Sequence, residues 1–170
     1  YNFQALNDRE FEKLSRDLIQ KKFGLTFESF KPGRDGGIDL RHISPKENNK
    51  IIVQVKHRTR SKFEDLFNHL KKDELKKVEK IKPDSYIVIT SIELNPLQKD
   101  KILQLFSPFI LTTANILGRD DLNGLLGEFE DIEINHPKLW LSSVPILRKI
   151  INNGVKGRSD FALENIVRNI

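Results

Sequence analysis

The order of apolar patterns along the chain predicts an α/β domain, with a mixed four- to five-stranded sheet flanked by helices on both faces. Three observations predict it. A helical pattern opens the chain, three strand-like runs follow it with polar connections, and further helical patterns then alternate with short apolar strands. At 170 residues, 38% of them hydrophobic, the chain suffices for one domain with its own core and is too short for two large ones.

Asn7-Asp8-Arg9-Glu10 has the form of a capping box, and Phe11, Leu14, Leu18 and Ile19 then share one helical face until Phe23-Gly24 closes the helix. Residues 26–30 alternate as a short strand. Residues 31–37 hold three glycines and a proline, which supply the unusual backbone angles of a turn. Residues 38–43 and 51–55 read as two strands joined by the polar loop 44–50. A second helix opens on Phe63, Leu66, Phe67 and Leu70 and continues through Leu75, Val78 and Ile81, until Pro83-Asp84 breaks it. Residues 86–89 are an apolar strand of the kind buried on both faces. Asn95-Pro96 starts a third helix that runs to about residue 105. Residues 109–111 read as a last strand, 121–129 as a short helix and 137–153 as a longer one. Residues 1–153 are therefore expected to form the domain. Residues 154–170, a linker and the start of a helix, would lead toward a further C-terminal region. A chain without any Met fits a piece of a longer protein.

Composition excludes several classes. With no cysteine there is no disulfide scaffold, Cys-liganded zinc, iron–sulfur cluster or Cys nucleophile, which fits a cytoplasmic setting. No apolar run approaches the length of a membrane span, and no secretory signal opens the chain. There is no P-loop motif and no G-x-S-x-G elbow. Charge is uneven. Residues 31–82 hold 15 of the 29 basic residues but 8 of the 24 acidic ones, so that stretch carries +7 and the remainder −2. A surface facing a polyanion and a solvated lysine-rich helix both account for it, since Asp73, Glu74 and Glu79 are interleaved with Lys71, Lys72, Lys76, Lys77 and Lys80. The favoured contacts to a polyanion are Lys31, Arg34, Arg58, Arg60 and Lys62. Contacts of that kind give affinity without sequence specificity.

Asp39, Gln54 and Lys56 stand out by position. Gln54 and Lys56 are two apart on one strand and so share a face. If the strands at 38–43 and 51–55 form an antiparallel hairpin, Asp39 at the start of one lies beside Gln54 and Lys56 at the end of the other. A carboxylate and an amide oxygen suit a hard divalent cation, with the lysine alongside to neutralise a phosphodiester. Singly, each residue fits a structural role. Together, inside the basic stretch, they point to a site. His57 follows the lysine and fits either a phosphate contact or a strand-end residue; His42, His69 and His136 lack metal-ligand spacing.

Gly33-Arg34-Asp35-Gly36-Gly37-Ile38-Asp39-Leu40, followed by Val53-Gln54-Val55-Lys56, resembles the PD-(D/E)xK nuclease core in its Mrr-type restriction endonuclease form, which often writes the second motif as Q-x-K. The resemblance implies a restriction-endonuclease-like fold and a Mg²⁺-dependent endonuclease, with Mn²⁺ able to substitute, acting on double-stranded DNA. It implies Asp39 as central metal ligand, Glu12 completing the metal site from the first helix directly or through water, Gln54 in the usual acidic position and Lys56 positioning and activating the attacking water. Asp84 to Ser91, Asn95-Pro96 and His136-Pro137-Lys138-Leu139-Trp140-Leu141-Ser142-Ser143 are similar to the nuclease domains that precede a STAND-type NTPase in bacterial antiviral (Avs-like) proteins. That similarity implies an antiphage effector, partnered in its parent chain by an NTPase and a sensor for a phage protein, and active as a homo-oligomer. Asn115 replaces an Asp common in that subgroup and reads as structural. Trp140 suits either a docking surface or the core. A degenerate nuclease fold kept as a DNA-binding or oligomerisation module is the competing reading, and a structure-selective resolvase is another; the joint presence of Glu12, Asp39 and Lys56 speaks against decay.

Overall fold

The structure, a computed structural model, describes residues 1–30, 38–44, 49–59 and 61–141. The expected turn at 31–37, with Lys31, Arg34 and Asp35, lies outside the described residues, as do Arg60, the side chain of Trp140 and everything expected at 142–170.

A 3₁₀ turn (Phe3–Ala5) leads into α1 (Asp8–Phe23), β1 (Glu28–Ser29), β2 (Leu40–Ser44) and β3 (Asn49–Lys56). Next come α2 (Phe63–His69), a π-helical turn (Leu70–Glu74), α3 (Leu75–Ile81), β4 (Ser85–Thr90) and α4 (Pro96–Leu105). The described part ends with β5 (Ile116–Leu117), α5 (Arg119–Glu128), α6 (Glu130–Asn135) and α7 (Lys138–Leu141). The sheet order is β1-β2-β3-β4-β5. β1, β2 and β3 pair antiparallel, whereas β3, β4 and β5 pair parallel, so the sheet is mixed as expected.

Strand alternation divides the core in two. Leu40, Val53, Val55, Ile87, Ile89 and Leu117 pack with the apolar stripe of α1 and with α5 and α6. Ile52, Tyr86, Val88 and Ile116 pack with α2, α3 and α4 on the other face. Gln54 and Lys56 are in phase with Ile52, so both belong to the second face, under the π-helical turn.

The capping box of α1 forms in both directions, Asn7 Oδ1 accepting from Glu10 N and Glu10 Oε2 from Asn7 N, each at 2.9 Å. Gly24 ends the helix in the left-handed region at φ 65°, where a Cβ would be strained. The strand expected at 26–30 shrinks to two residues because side chains take its outer backbone groups. Gln20 Oε1 accepts from Phe27 N at 2.8 Å, and His42 Nδ1 lies 2.8 Å from Thr26 O.

Three other expectations are corrected. Residues 109–111 are not a strand: Phe109 N and Ile110 N both donate to Phe106 O in a turn, and Leu111 points to solvent. The last strand is Ile116–Leu117, beside Val88 and Ile89. Asn115 precedes it and donates to Ser85 Oγ at 3.2 Å, a structural role as read. The helix expected at 121–129 starts at Arg119, because Asp121 Oδ2 accepts from Gly118 N at 2.7 Å and so caps the helix two residues earlier. The single helix expected over residues 63–81 is interrupted by the π-helical turn.

Residues 130–135, for which the apolar pattern predicts no element, form α6, which stops before His136-Pro137. His136 is buried, and its Nε2 lies 3.0 Å from Asp17 Oδ2 on α1. Burial pushes the Asp17 carboxyl up, but the hydrogen bonds from His136 and Arg16 outweigh it and hold the group below its usual range. A depressed carboxylate binds fewer protons folded than unfolded. Its contribution is therefore complete above the ordinary aspartate range and is lost as pH falls through the folded value. Asp17→Asn is expected to cost about 1–2 kcal/mol near neutral pH and to converge with the wild type in acid. Thermal unfolding of both proteins from pH 7 to pH 3 checks this, and a gap that stays constant with pH refutes it.

Candidate active site

The hairpin of β2 and β3 has the register the site requires. Leu40 faces Val53, so Asp39, one residue before the strand, reaches the end of β3. Its Oδ2 accepts the backbone N–H of Val55 at 2.6 Å and the side-chain amide of Gln54. Gln54 is only 2% exposed, and what it presents to Asp39 is its amide nitrogen. Two donors from one strand therefore fix the Asp39 carboxylate against the sheet.

A cleft of about 330 Å³ opens above this point. Asp39, Lys56, Arg58 and His69 line it, and Glu12 from α1 enters from the other side. Glu12 reaches the cleft because the start of α1 lies beside the carboxyl end of β3, where Phe11 stacks on His57. The structure thus brings Glu12, Asp39 and Lys56 to one cavity, with Gln54 buried beneath. Arg58 shares the lining, while Lys62 is exposed at the start of α2 and outside it.

His57 turns out to be scaffold. Its ring stacks on Phe11 at 4.6 Å, and its nitrogens lie 2.9 Å from Ser91 Oγ and 2.9 Å from Leu6 O. Because a carbonyl can only accept, Nε2 must carry a proton, and both nitrogens are committed.

Sequence reasoning passed over two members of the site. Glu74, read as part of a solvated face, is 1% exposed, and its Oε1 lies 2.9 Å from Lys56 Nζ. His69 has Nδ1 3.0 Å from Asp73 Oδ2 and Nε2 3.3 Å from Glu74 Oε1. Burial, helped by the positive charges of Lys56 and Arg58, holds the His69 pKa down, so its ring is neutral at pH 7. The available signal was spacing. Leu66, Leu70, Glu74 and Val78 recur every four residues, and all four are buried.

The donor set suits a hard divalent cation. Among the described residues no three His, Asp or Glu side chains cluster closely enough to cage a metal by themselves. Magnesium seldom needs such a cage; one or two carboxylates completed by water and substrate phosphate oxygens are its ordinary setting. Glu12 and Asp39 place two carboxylates on this one cleft.

Residues 3–99, more than half of the chain, match the Mrr_cat family, restriction endonuclease. The chain belongs to that family. The mixed sheet with helices on both faces is accordingly a restriction-endonuclease-like fold, and a restriction endonuclease domain is a DNA-hydrolysing nuclease of a kind that generally uses divalent metals. An uncharacterized protein of Sinorhizobium fredii, y4cD, is 36% identical over 156 residues, which cover 92% of this chain and 24% of that protein. The chain therefore spans about a quarter of that relative's length. No solved structure matches this member of the family. Among its described residues, no helix is long and apolar enough to cross a membrane.

Proposed function

We propose that the domain is a Mg²⁺-dependent endonuclease that hydrolyses phosphodiester bonds of double-stranded DNA, with Mn²⁺ able to substitute. The observation that carries this reading is the cleft in which Glu12, Asp39 and Lys56 meet, inside a chain whose family is that of restriction endonucleases. Asp39 and Glu12 would hold the cation, with Gln54 orienting Asp39 through its amide and offering its carbonyl oxygen as a further ligand. When bound, the metal supplies Lewis-acid stabilisation of the phosphate and a more acidic water.

The chain's own residues do the rest. Asp39, locked by Val55 N–H and Gln54, keeps a fixed negative charge at the base of the cleft. The Lys56 ammonium stands beside it and faces the negative charge that grows on the phosphoryl oxygens during attack. A water oxygen adds to phosphorus and its proton leaves to solvent, while the bond from phosphorus to the 3′ oxygen breaks and that oxygen takes up a proton from solvent. The products are a 5′-phosphate and a 3′-hydroxyl.

Arg58, and Lys62 further out, would hold the flanking backbone, with Lys31, Arg34 and Arg60 as the other candidates. Arg58→Ala and Lys62→Ala should each lower the slope of log Kd against log salt by about one. Fluorescence anisotropy on a labelled duplex measures it; an unchanged slope removes the residue from the interface.

The wider role is proposed in the same terms. Similarity to the nuclease domains of antiviral STAND NTPases, together with a relative some four times longer, supports a cytoplasmic antiphage effector. In its parent chain it would be joined to an NTPase and a sensor for a phage protein, and would cut as a homo-oligomer, with residues 154–170 leading out of the domain.

Plasmid cleavage tests the central reading, run with Mg²⁺, with Mn²⁺ and with EDTA beside Asp39→Ala. Metal-dependent nicking that the variant lacks is the expected result. Silence in every arm, including the domain fused to a tetramerising tag, would favour the degenerate binding module instead.

A further inference from the structure

Among the described residues, Glu74 is the one acidic side chain in the buried interior. Its place there follows from helix geometry. Leu66, Leu70, Glu74 and Val78 step by four, and an α-helix turning about 100° per residue would carry such a stripe some 120° around the axis in three steps. The π-helical turn Leu70–Glu74 holds one extra residue, which takes back about 100° and keeps the stripe over the sheet. An irregular turn is thus built into the middle of a helix, and the residue it turns inward is a glutamate.

An ionised carboxylate in such a place is costly unless it is paired. The cations that face Glu74 come from separate elements. Lys56 on β3 lies at 2.9 Å and Lys77 on α3 at 3.2 Å, while the neutral His69 of α2 lies at 3.3 Å. Burial pushes the Glu74 carboxyl up, yet the Lys56 hydrogen bond and the charges of Lys56 and Lys77 outweigh it, so the group stays ionised at neutral pH. Lys77 opens toward solvent, with its side chain 39% exposed; that of Lys56 is 18% exposed and lines the cleft. The ammonium of Lys56 is therefore gripped from behind by Glu74 and presented forward to the cavity shared with Asp39. His69 lines the same cavity, but its buried Nε2 makes no hydrogen bond to that carboxylate oxygen.

We propose that Glu74 is a positioning residue for Lys56: its buried carboxylate, delivered by the π-helical turn, fixes the ammonium at the cleft, so DNA cleavage depends on a residue that never touches DNA. The proposal rests on the nuclease reading above. A side chain as flexible as lysine has many rotamers open to it, and a transition-state contact is effective only when the charge is already in place.

The test compares wild type, Glu74→Gln, Lys56→Met and the double variant of the full chain. Three quantities are read: single-turnover plasmid cleavage with Mg²⁺, DNA affinity, and the unfolding equilibrium in denaturant. Glu74→Gln should slow cleavage by about tenfold to a hundredfold at saturating DNA, with Kd changed less than about twofold. In the Lys56→Met background the same change should cost cleavage nothing further, and the two unfolding effects should be non-additive by about tenfold in the equilibrium constant. Wild-type cutting by a folded Glu74→Gln protein overturns the proposal, as do additive effects. Should Glu74→Gln fail to fold, Glu74→Asp is read identically, since it keeps the charge but withdraws it by one methylene. A wild type that cuts no DNA under any condition sinks the nuclease reading itself. The unfolding cycle then decides alone whether Glu74 holds Lys56: coupling keeps the grip, additivity removes it.

Discussion

Asp39→Ala is expected to lower metal-dependent DNA cleavage by roughly a thousandfold or more, since in the proposed mechanism several kcal/mol of transition-state stabilisation pass through this carboxylate. The structure adds a second, smaller expectation. Asp39 Oδ2 is the acceptor for Val55 N–H and for the buried Gln54 amide, so truncation leaves two donors facing a void. That should cost about 1–3 kcal/mol of stability. Asp39→Asn retains an oxygen for Val55 N–H while removing the charge, and should lose as much activity with less loss of stability. Measuring cleavage and thermal unfolding for both variants separates the two effects. Equal activity loss with unequal destabilisation assigns the loss to charge. Cleavage at the wild-type rate by either protein removes Asp39 from the site.

What the sequence disclosed here was local, and what it concealed was set by packing. Asp39, Gln54 and Lys56 could be placed together because strand periodicity fixes which residues share a face and a hairpin fixes which ends meet. The observed pairing of Leu40 with Val53 is what that argument needed. Glu12 could be reached only through resemblance, because nothing in a helical pattern says that its fifth residue will overhang the far end of a strand. The two-residue strand Ile116–Leu117 left too short a pattern to separate from a turn, while residues 109–111 offered an apolar run that is in fact a turn, with Ile110 buried and Leu111 exposed. Residues 130–135 carry Ile132 and Ile134 among acids, too few apolar positions to show a helix by period.

Glu74 shows the limit most sharply. On an ideal helix the stripe through Leu66 and Leu70 continues near residues 73 and 77, which puts Glu74 toward the flank among lysines. Only the π-helical turn rotates it inward, and a one-residue insertion of that sort leaves no compositional mark. A four-residue repeat of buried positions with a carboxylate in its third place is the trace it does leave.

Gln54→Glu would restore the acid that more often fills this position, and from the motif alone it should be harmless. The structure argues for a different result. Gln54 is buried and donates its amide to Asp39, so the substitution exchanges a hydrogen bond for two carboxylates in contact at a site 2% exposed. Two such groups cannot both ionise cheaply without a cation between them. In EDTA the variant should lose about 2–4 kcal/mol of stability at pH 7, and less as pH falls and one carboxyl takes up a proton. With millimolar Mg²⁺ a large part of that loss should return, since a third anionic oxygen strengthens the metal site, and cleavage should survive. Denaturant unfolding with and without Mg²⁺ reads this directly. A variant equally stable in EDTA and Mg²⁺ would mean that no cation binds between positions 39 and 54, leaving Gln54 as the support that orients Asp39 and nothing more.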